Sequence, residues 1–275
     1  MPIGFFADRF RNKVMIITGF ATGIGKETAI RASKEGAKLI LADRKIQESQ
    51  DTYDEIIRNG GEAKMLQVDL TDGENAKKMV DLAVSTYGGL DIAVNNAGVM
   101  GTPSAVHLMQ EEDLRYTMEN NFMTVFYCCR EELKVFVKQG KGGVIVNNAS
   151  IAGLTGLPGN GAYVASKHAV NGLTRNMALD YAKYNIRVNS VNPAGTDTPM
   201  VEEAFAYVSE QMKKAMEAGM DPAEAQSMAG QKTETLLKRN ATPQEQAASI
   251  LFLASDDATH ITGTLFATDG GWTAF

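Results

Sequence analysis

The fold of this chain is decided by a stretch near its start, Val14-Met15-Ile16-Ile17-Thr18-Gly19-Phe20-Ala21-Thr22-Gly23-Ile24-Gly25. Its first four residues form a short apolar run, which is typical of a strand buried in a parallel sheet. A glycine-rich turn follows, and a helical segment then runs from Lys26 to Glu35. Glycines let a pyrophosphate approach the backbone, and the helix N-terminus supplies free N–H groups. The stretch therefore predicts a dinucleotide site; the alternative is a plain turn between strand and helix.

A second apolar strand, Lys38 to Asp43, ends in an acid roughly 20 residues beyond the glycine turn. A carboxylate at this place accepts hydrogen bonds from an adenosine ribose and repels a 2′-phosphate, so Asp43 favours NAD over NADP. Arg44 and Lys45 follow at once and offset that repulsion, which leaves NADP open. The alternative is that Asp43 only ends the strand.

Strands and helices alternate along the rest of the chain. Helices are predicted at 51–58, 74–87, 111–139, 163–183 and 242–255, and strands at 63–68, 92–94, 144–146, 186–191 and 264–268. This alternation indicates an α/β fold, a Rossmann-like doubly wound parallel sheet of about seven strands with helices on both faces. Ligands of such sheets bind beyond the carboxyl ends of the strands. No repeat, low-complexity segment or linker divides the chain, so one domain over residues 1–275 is expected.

Composition narrows the classes of function. Of the 275 residues 44% are hydrophobic, and the net charge of −6 disfavours a nucleic-acid or membrane partner. No apolar run is long enough to span a bilayer, and the apolar run at the start is too short for a signal peptide, so neither feature is expected. Its three histidines lie far apart and away from the cysteines, so no metal site is predicted. Cys128 and Cys129 are interpreted as reduced, which fits a cytoplasmic location.

The segment 199–240 breaks the alternation. Met212, Met216 and Met220 are four residues apart, so they form one apolar stripe if the segment is helical. The stripe either packs on the domain or belongs to a mobile lid over an apolar substrate, because methionine adapts to varied shapes. Beyond it, Thr242 begins a capping box that predicts the next helix.

The chemistry is indicated by Tyr163 and Lys167. At this spacing they lie on the same face of a helix, one turn apart. A phenol with a pKa of about 10 is a poor base near neutral pH, but a neighbouring ammonium favours the phenolate and lowers that pKa. Tyr163 is therefore a candidate general acid/base; the alternative is a pair on a solvated helix face.

Taken together, these motifs resemble the short-chain dehydrogenase/reductase family, in its single-domain branch. The motifs, in order, are Thr18-Gly19-x-x-x-Gly23-x-Gly25, Asn95-Asn96-Ala97-Gly98, Ser150 and Tyr163-x-x-x-Lys167. Ser150 stands thirteen residues before Tyr163, as the family's catalytic serine does. Asn121 matches the family's helix asparagine, with Asn120 as an adjacent rival.

The resemblance implies hydride transfer between a nicotinamide and a carbonyl or secondary alcohol. It makes Tyr163 the group that exchanges a proton with the substrate oxygen, and Ser150 the group that holds this oxygen. Lys167 is expected to lower the pKa of Tyr163 and to bind the nicotinamide ribose. Asn121 is expected to hold a water between Lys167 and solvent.

The resemblance also implies the residues that bind the cofactor, expected to be NAD. They are Gly19, Thr22, Gly23, Ile24, Gly25, Asp43, Arg44, Asp69, Leu70, Asn96, Ala97, Gly98, Tyr163, Lys167, Pro193, Thr196 and Thr198. Among these, Asp69 and Leu70 border the adenine, and Asn96 lines the groove. Thr196 and Thr198 are expected to contact the nicotinamide carboxamide or the phosphates of the cofactor.

Three features depart from the family pattern. The order Pro193-Ala194-Gly195 replaces Pro-Gly, and because alanine lacks the conformational range of glycine, a reshaped loop is expected there. Thr124 stands where the family often has glycine. The segment before Thr242 is longer than in compact members of the family. The resemblance therefore says least about the substrate pocket of this chain.

The expected function is that of an oxidoreductase that uses NAD(H) and a secondary alcohol or ketone. One alternative is an NADP(H)-dependent reductase of a 3-oxoacyl thioester or of a sugar or steroid ketone. Another is a non-catalytic NAD(P)-binding regulator, although such a protein is expected to lack Tyr163, Lys167 or Ser150. A third is a sugar-nucleotide epimerase, whose Gly-x-x-Gly-x-x-Gly spacing this chain does not have.

Two partners are expected. The first is a small-molecule substrate, and the methionine-rich segment favours an apolar one such as a steroid, a terpenoid or an aromatic ketone. The second is a further copy of the chain, because the family forms tetramers or dimers through its long helices, here 111–139 and 163–183.

Overall fold

The computed structural model of the chain is built on one parallel sheet. It describes Gly4, residues 6–217, Gly219 and residues 235–274. Within these residues seven strands lie in the order β3-β2-β1-β4-β5-β6-β7, and all neighbours are parallel. Their bounds are β1 Val14–Thr18, β2 Lys38–Asp43, β3 Glu62–Gln67, β4 Ile92–Asn95, β5 Gly143–Asn148, β6 Ile186–Pro193 and β7 Leu265–Thr268. The predicted α/β fold is confirmed.

Helices connect the strands. Their bounds are α1 Gly23–Lys34, α2 Ile46–Arg58, α3 Gly73–Tyr87, α4 Glu111–Met118, α5 Thr124–Gln139, α6 Gly161–Tyr181, α7 Pro199–Glu217 and α8 Pro243–Ala254. Helix α1 begins at Gly23 rather than at the predicted Lys26, so the last two glycines of the turn belong to its first turn. In the described part of the chain, no helix is both long and apolar enough to cross a bilayer.

The strands bury side chains on both faces. Val14 and Ile16 belong to the apolar layer formed with α3, α5 and α6, while Met15 and Ile17 belong to the layer formed with α1, α2 and α8. Successive side chains of a strand point to opposite faces, so a strand covered on both sides must be apolar throughout. This explains why the short run 14–17 identifies β1.

The direction of the sheet order changes at β1, whose neighbours are β2 and β4. The connections on the two sides of this point leave in opposite directions, so a crevice opens beyond the carboxyl ends of the strands. The residues that follow β1, β2, β4 and β5 therefore meet at one edge, although they are far apart in sequence.

The stretch 111–139 is not the single α-helix that its periodicity predicts. Residues Glu119–Met123 form a π-turn between α4 and α5. Thr124 stabilises this wider turn, because both its N–H and its hydroxyl bond to the carbonyl five residues earlier, the hydroxyl at 3.1 Å. A π-turn inserts one extra residue into a helix. Here it brings two neighbouring asparagines inside, Asn120 at 8% and Asn121 at 0% exposure.

Helix α7 carries the first part of the methionine-rich segment 199–240. Met212 is partly buried and Met216 is 44% exposed, whereas Met220 lies outside the described residues. Neither Met212 nor Met216 belongs to the two apolar layers of the sheet. Beyond the segment, the predicted capping box at Thr242 is confirmed at the start of α8.

Candidate active site

A cleft of about 710 Å³ lies at the carboxyl edge of the sheet. The predicted site residues that line it are Gly19, Thr22, Gly23, Ile24, Asp43, Arg44, Asp69, Leu70, Asn96, Ala97, Gly98, Ser150, Tyr163, Lys167, Pro193, Thr196 and Thr198. Two predicted residues, Gly25 and Asn121, are absent from its wall and lie behind it. The described part of the chain holds no group of three or more His, Cys, Asp or Glu side chains placed for a metal ion.

The glycine turn is packed too closely for side chains. Gly19 has a φ of 66°, and a Cβ on it would lie 2.8 Å from the Cα of Ala97. A Cβ on Gly25 would overlap the carbonyl oxygen of Gly19. Gly25 therefore supports the turn from behind rather than lining the cleft.

The start of α1 has the properties of an anion site. Thr22 stands at the N-cap position without a side-chain cap bond, and the first turn contains no acid. The N–H groups at this helix end are therefore not satisfied by side chains of the cap. Next to it, the Asp43 carboxylate is fixed by the N–H groups of Ala21 at 2.9 Å and Lys45 at 3.0 Å. A helix end suited to a phosphate beside a fixed carboxylate is the arrangement that the predicted dinucleotide site requires.

Asn96 clamps the glycine turn. Its amide donates to the carbonyls of Thr18 at 3.1 Å and Gly19 at 2.9 Å, and its oxygen accepts from the Asn148 amide at 2.8 Å. Asn96 thus lines the cleft, as predicted, but its hydrogen-bonding groups are used to hold the turn in place.

At the other end of the cleft, Ser150 meets the two side chains carried by α6. The Nζ of Lys167 lies 5.6 Å from the centre of the Tyr163 ring and donates to the backbone carbonyl of Asn148 at 3.0 Å. Ser150 follows β5, and its hydroxyl lies 3.5 Å from the carbonyl oxygen of Pro193. The sheet edge therefore brings together one hydroxyl, one phenol and one amine.

Burial opposes a charge on both titratable groups of this trio. It raises the pKa of Tyr163, and a hydrogen bond with Ser150 acts in the opposite direction. Burial also lowers the pKa of Lys167 to about 8. The group that opposes burial at Tyr163 is thus Ser150, and the expected effect of Lys167 on the pKa of Tyr163 stays a prediction.

Asn121 braces the cleft from behind. Its oxygen accepts from the N–H of Val99 at 2.7 Å, and its amide donates to the carbonyl of Val99 and to the hydroxyl of Ser166, both at 3.0 Å. A Cβ on Gly98 would lie 2.8 Å from the Asn121 oxygen and 3.6 Å from the Nζ of Lys167. Because both amide hydrogens are used, this side chain does not donate to the water expected between Lys167 and solvent.

Asn120 instead faces Arg44, which lines the cleft next to Asp43. Its oxygen accepts from the Arg44 guanidinium at 2.9 Å. Nearby, hydrogen bonds from Thr71 hold the pKa of Asp69 below its usual range, and the charge of Arg44 contributes. Leu70 is buried beside them at 5% exposure.

The loop after β6 takes an ordinary backbone path despite its additional alanine. Neither Ala194 nor Gly195 has a positive φ. Gly195 instead permits close packing, because a Cβ on it would lie 2.5 Å from the side-chain oxygen of Asn240. Thr196 and Thr198 are nearly buried and line the cleft. The Thr198 oxygen accepts from the N–H of a residue in the first turn of α7 at 3.4 Å.

Sequence reasoning missed most of the remaining cleft wall. The apolar and aromatic residues in it include Met100, Tyr116, Leu157, Met200, Phe205 and Trp272. Single apolar residues on separate elements have no common spacing, so only the expectation of a lid in 199–240 pointed to any of them. The early turns of α7 line the cleft, whereas Met212 and Met216 do not.

Comparison with known proteins points to one family. The profile described as short chain dehydrogenase matches residues 13–208. The chain is 43% identical over 274 residues to a 3beta-hydroxysteroid dehydrogenase of Mediterraneibacter gnavus, with 99% of both chains covered. It is 36% identical over 268 residues to a cyclohexanol dehydrogenase of an Acinetobacter species, with 98% of both covered. The crystal structure of carveol dehydrogenase from Mycobacterium avium in complex with NAD matches with a TM-score of 0.86 at 28% identity, covering 98% of this chain and 100% of that one.

Proposed function

Because the chain belongs to the short-chain dehydrogenase family, and is an NAD(P)-dependent alcohol dehydrogenase or ketone reductase, we propose that it transfers hydride between NAD(H) and a secondary alcohol or ketone on an alicyclic ring. The observation that carries this proposal is the meeting of Ser150, Tyr163 and Lys167 in the cleft that also contains Asp43. One end provides proton transfer and the other provides a place for a ribose.

An apolar wall and the names of two relatives support the ring-shaped substrate. Met200, Phe205 and Trp272 line the cleft together with the catalytic trio. Apolar and aromatic side chains bury a ring, and a few polar groups orient it. The names of the two relatives refer to a hydroxysteroid and to cyclohexanol. Both compounds carry a secondary alcohol on a saturated ring.

The reaction divides between the cofactor and this chain's residues. When bound, the nicotinamide supplies hydride in ketone reduction and accepts it in alcohol oxidation. Tyr163 gives a proton to the substrate oxygen in reduction and takes it back in oxidation. The Ser150 hydroxyl holds the same oxygen. Lys167 binds the nicotinamide ribose, and its pKa of about 8 lets it return a proton toward Tyr163 near neutral pH.

In the proposed reaction a water at Asn121 connects Lys167 with solvent. The amide of Asn121 donates to Val99 and Ser166, so it does not donate to this water.

NAD rather than NADP is the proposed cofactor. The Asp43 carboxylate accepts the ribose hydroxyls and repels a 2′-phosphate. The start of α1 takes the pyrophosphate, with Thr22, Gly23 and Ile24 in contact with it. The NADP-dependent alternative rests on the neighbouring cation, Arg44.

The remaining proposals concern the chain as a whole. Residues 1–275 act as one domain, and α7, the described first part of segment 199–240, acts as the lid over the substrate; residues 220–234 lie outside the described part of the chain. The protein assembles as a homotetramer or homodimer. It works in the cytoplasm. This proposal is supported by Cys128 and Cys129, which are both free thiols, because a reducing compartment keeps cysteines in that state.

The proposed function is tested with a panel of cyclic secondary alcohols and NAD, followed by the absorbance of the reduced nicotinamide. Tyr163→Phe is expected to lower turnover by about 100- to 10,000-fold, because the proton acceptor is lost. Its affinity for NADH, measured by fluorescence titration, stays close to that of the unmodified protein. Tyr53→Phe removes a hydroxyl on α2, outside the cleft, and serves as the control. Retained turnover in Tyr163→Phe would refute the catalytic assignment, and a preference for NADPH would refute the role of Asp43.

A further inference from the structure

Arg44 brings an unpaired positive charge into the cleft. Among the described residues it forms no ion pair with an Asp or Glu. A guanidinium has five N–H donors, and the hydrogen bond that the Arg44 guanidinium donates within that part of the chain goes to Asn120, at 2.9 Å. The remaining donors would meet a 2′-phosphate only if the side chain were released from Asn120.

Asn120 presents its oxygen to Arg44 and not its amide group. The Nδ2 of Asn120 donates to the carbonyl oxygen of Tyr116 at 2.9 Å. A backbone carbonyl only accepts, so this bond decides which end of the side chain is the oxygen. Asn120 is 8% exposed and stands in the π-turn that Thr124 stabilises. The acceptor for Arg44 is thus buried, oriented and fixed.

This tether decides where the charge of Arg44 lies. The carboxylate of Asp43 is turned the other way, toward the glycine turn, by the N–H groups of Ala21 and Lys45. Arg44 is drawn instead to the helix side of the cleft, where its charge reaches Asp69. Among the residues that the structure describes, Asp43 consequently forms no salt bridge.

We propose that Asn120 is a positioning residue for cofactor selectivity. By tethering Arg44 to the π-turn, it keeps the guanidinium from binding a 2′-phosphate and makes it part of the adenine-side wall, so that NAD(H) is preferred over NADP(H). The inference rests on the proposed function, because it requires a dinucleotide whose adenosine ribose lies at Asp43.

The test compares equilibrium binding of NADH and NADPH by fluorescence titration, and of 5′-AMP and 2′,5′-ADP by competition. The proteins are the unmodified chain, Asn120→Ala, Arg44→Ala and the double variant. Asn120→Ala is expected to shift the NADPH to NADH affinity ratio toward NADPH by roughly tenfold, because the released guanidinium gains charge-assisted hydrogen bonds to the phosphate. Arg44→Ala added to it removes the gain. The same shift is expected between 5′-AMP and 2′,5′-ADP, which differ only in the 2′-phosphate.

Asn176→Ala changes an exposed asparagine on α6 and is the matched control, with an unchanged ratio expected. An unchanged ratio in Asn120→Ala, a gain that persists without Arg44, or equal weakening of NADH and NADPH binding would each overturn the proposal.

If Asn120→Ala does not fold, Asn120→Ser takes its place under the same expectations. If the unmodified chain binds neither dinucleotide, the proposed function fails as well; if it binds NADH and oxidises cyclic alcohols while the ratio does not move, only this inference fails.

Discussion

Two neighbouring asparagines in the π-turn have different partners because they point in different directions. Asn121 connects Val99 to Ser166 behind the proposed catalytic trio, while Asn120 reaches Arg44 at the proposed adenosine end. The residue type is the same, so the two roles differ only through the direction of the side chain. One side chain supports the cleft from behind, and the other forms a hydrogen bond with a cation. At the scale of the residue, position within the turn decides the role.

Glu132 is a buried acid that the active site does not use. It lies on α5 at 0% exposure, and one of its oxygens accepts from the Asn95 amide at 3.1 Å. The other oxygen has no hydrogen-bond partner among the described residues. Burial raises the pKa of Glu132 from 4.5 to about 8, so this side chain is neutral in the folded protein at neutral pH.

This protonation predicts how stability changes with pH. Between pH 4.5 and 8 the folded state keeps a proton that the unfolded state has lost. The free energy of unfolding therefore falls as the pH rises through this window, by about 1.4 kcal/mol per pH unit, and the contribution levels off above it. Glu132→Gln removes this contribution. The free energy of unfolding of the variant, relative to that of the unmodified protein, therefore rises from pH 5 to pH 8.

Urea unfolding at pH 5, 6.5 and 8 measures this difference. Glu112→Gln changes an exposed acid on α4 and controls for the loss of charge alone. A stability difference between Glu132→Gln and the unmodified protein that stays constant with pH would show that Glu132 is ionised in the fold.

At the scale of the element, the early turns of α7 matter more than its methionine stripe. Phe205 is 66% exposed and lines the cleft, whereas Met216 is 44% exposed and does not. An exposed aromatic beside an apolar cleft is suited to contact a bulky substrate. The helix therefore offers its N-terminal half to the ligand.

Phe205→Ala tests this role of α7. We expect KM for a steroid alcohol to rise by about tenfold, because apolar contact area is lost, with a smaller rise for cyclohexanol and little change in kcat. Met216→Ala removes an exposed apolar side chain of the same helix outside the cleft and leaves both KM values unchanged. Equal effects of Phe205→Ala on large and small substrates would speak against a lid.

The capping box of α8 gives a prediction on stability alone. The Thr242 hydroxyl accepts from the N–H of Glu245, and the Glu245 carboxylate accepts from the N–H of Thr242. Thr242→Ala removes the first bond and is expected to lower the free energy of unfolding by about 1 kcal/mol, measured with urea. Thr242→Ser keeps the hydroxyl and most of the stability. Equal losses in both variants would show that the hydroxyl does not cap the helix.

At the scale of the whole molecule, the proposed assembly is argued from apolar side chains that are exposed outside the cleft. Leu179 on α6 is 81% exposed, and Tyr184 just beyond the same helix is 40% exposed. Exposed apolar groups on one element are common at contacts between subunits. They support the proposed homo-oligomer.

Light scattering on the purified protein tests this assembly. We expect a mass of two or four chains, and a smaller mass for Leu179→Glu because a buried charge opposes the contact. Ile57→Glu places the same charge on α2 and leaves the mass unchanged. A single-chain mass for the unmodified protein at micromolar concentration would refute the assembly.

The sequence by itself predicted the seven strands, most of the connecting helices and the candidate residues of the cleft. The apolar run of β1, the three glycines and the capping box at Thr242 are local patterns, and local backbone preferences produce them without help from the rest of the fold. Ser150, Tyr163 and Lys167 were recognised in the same way, because their spacing is a property of the chain.

Only the tertiary structure decided which groups meet across the cleft. The π-turn at Glu119–Met123, the Arg44 to Asn120 bond and the hold of the Asn148 carbonyl on Lys167 join residues from separate elements. Such contacts depend on how helices and strands pack, and burial then sets the pKa values of Tyr163 and Lys167. No pattern along the chain encodes them, because distance in space is independent of distance in sequence once the sheet brings its strand ends to one edge.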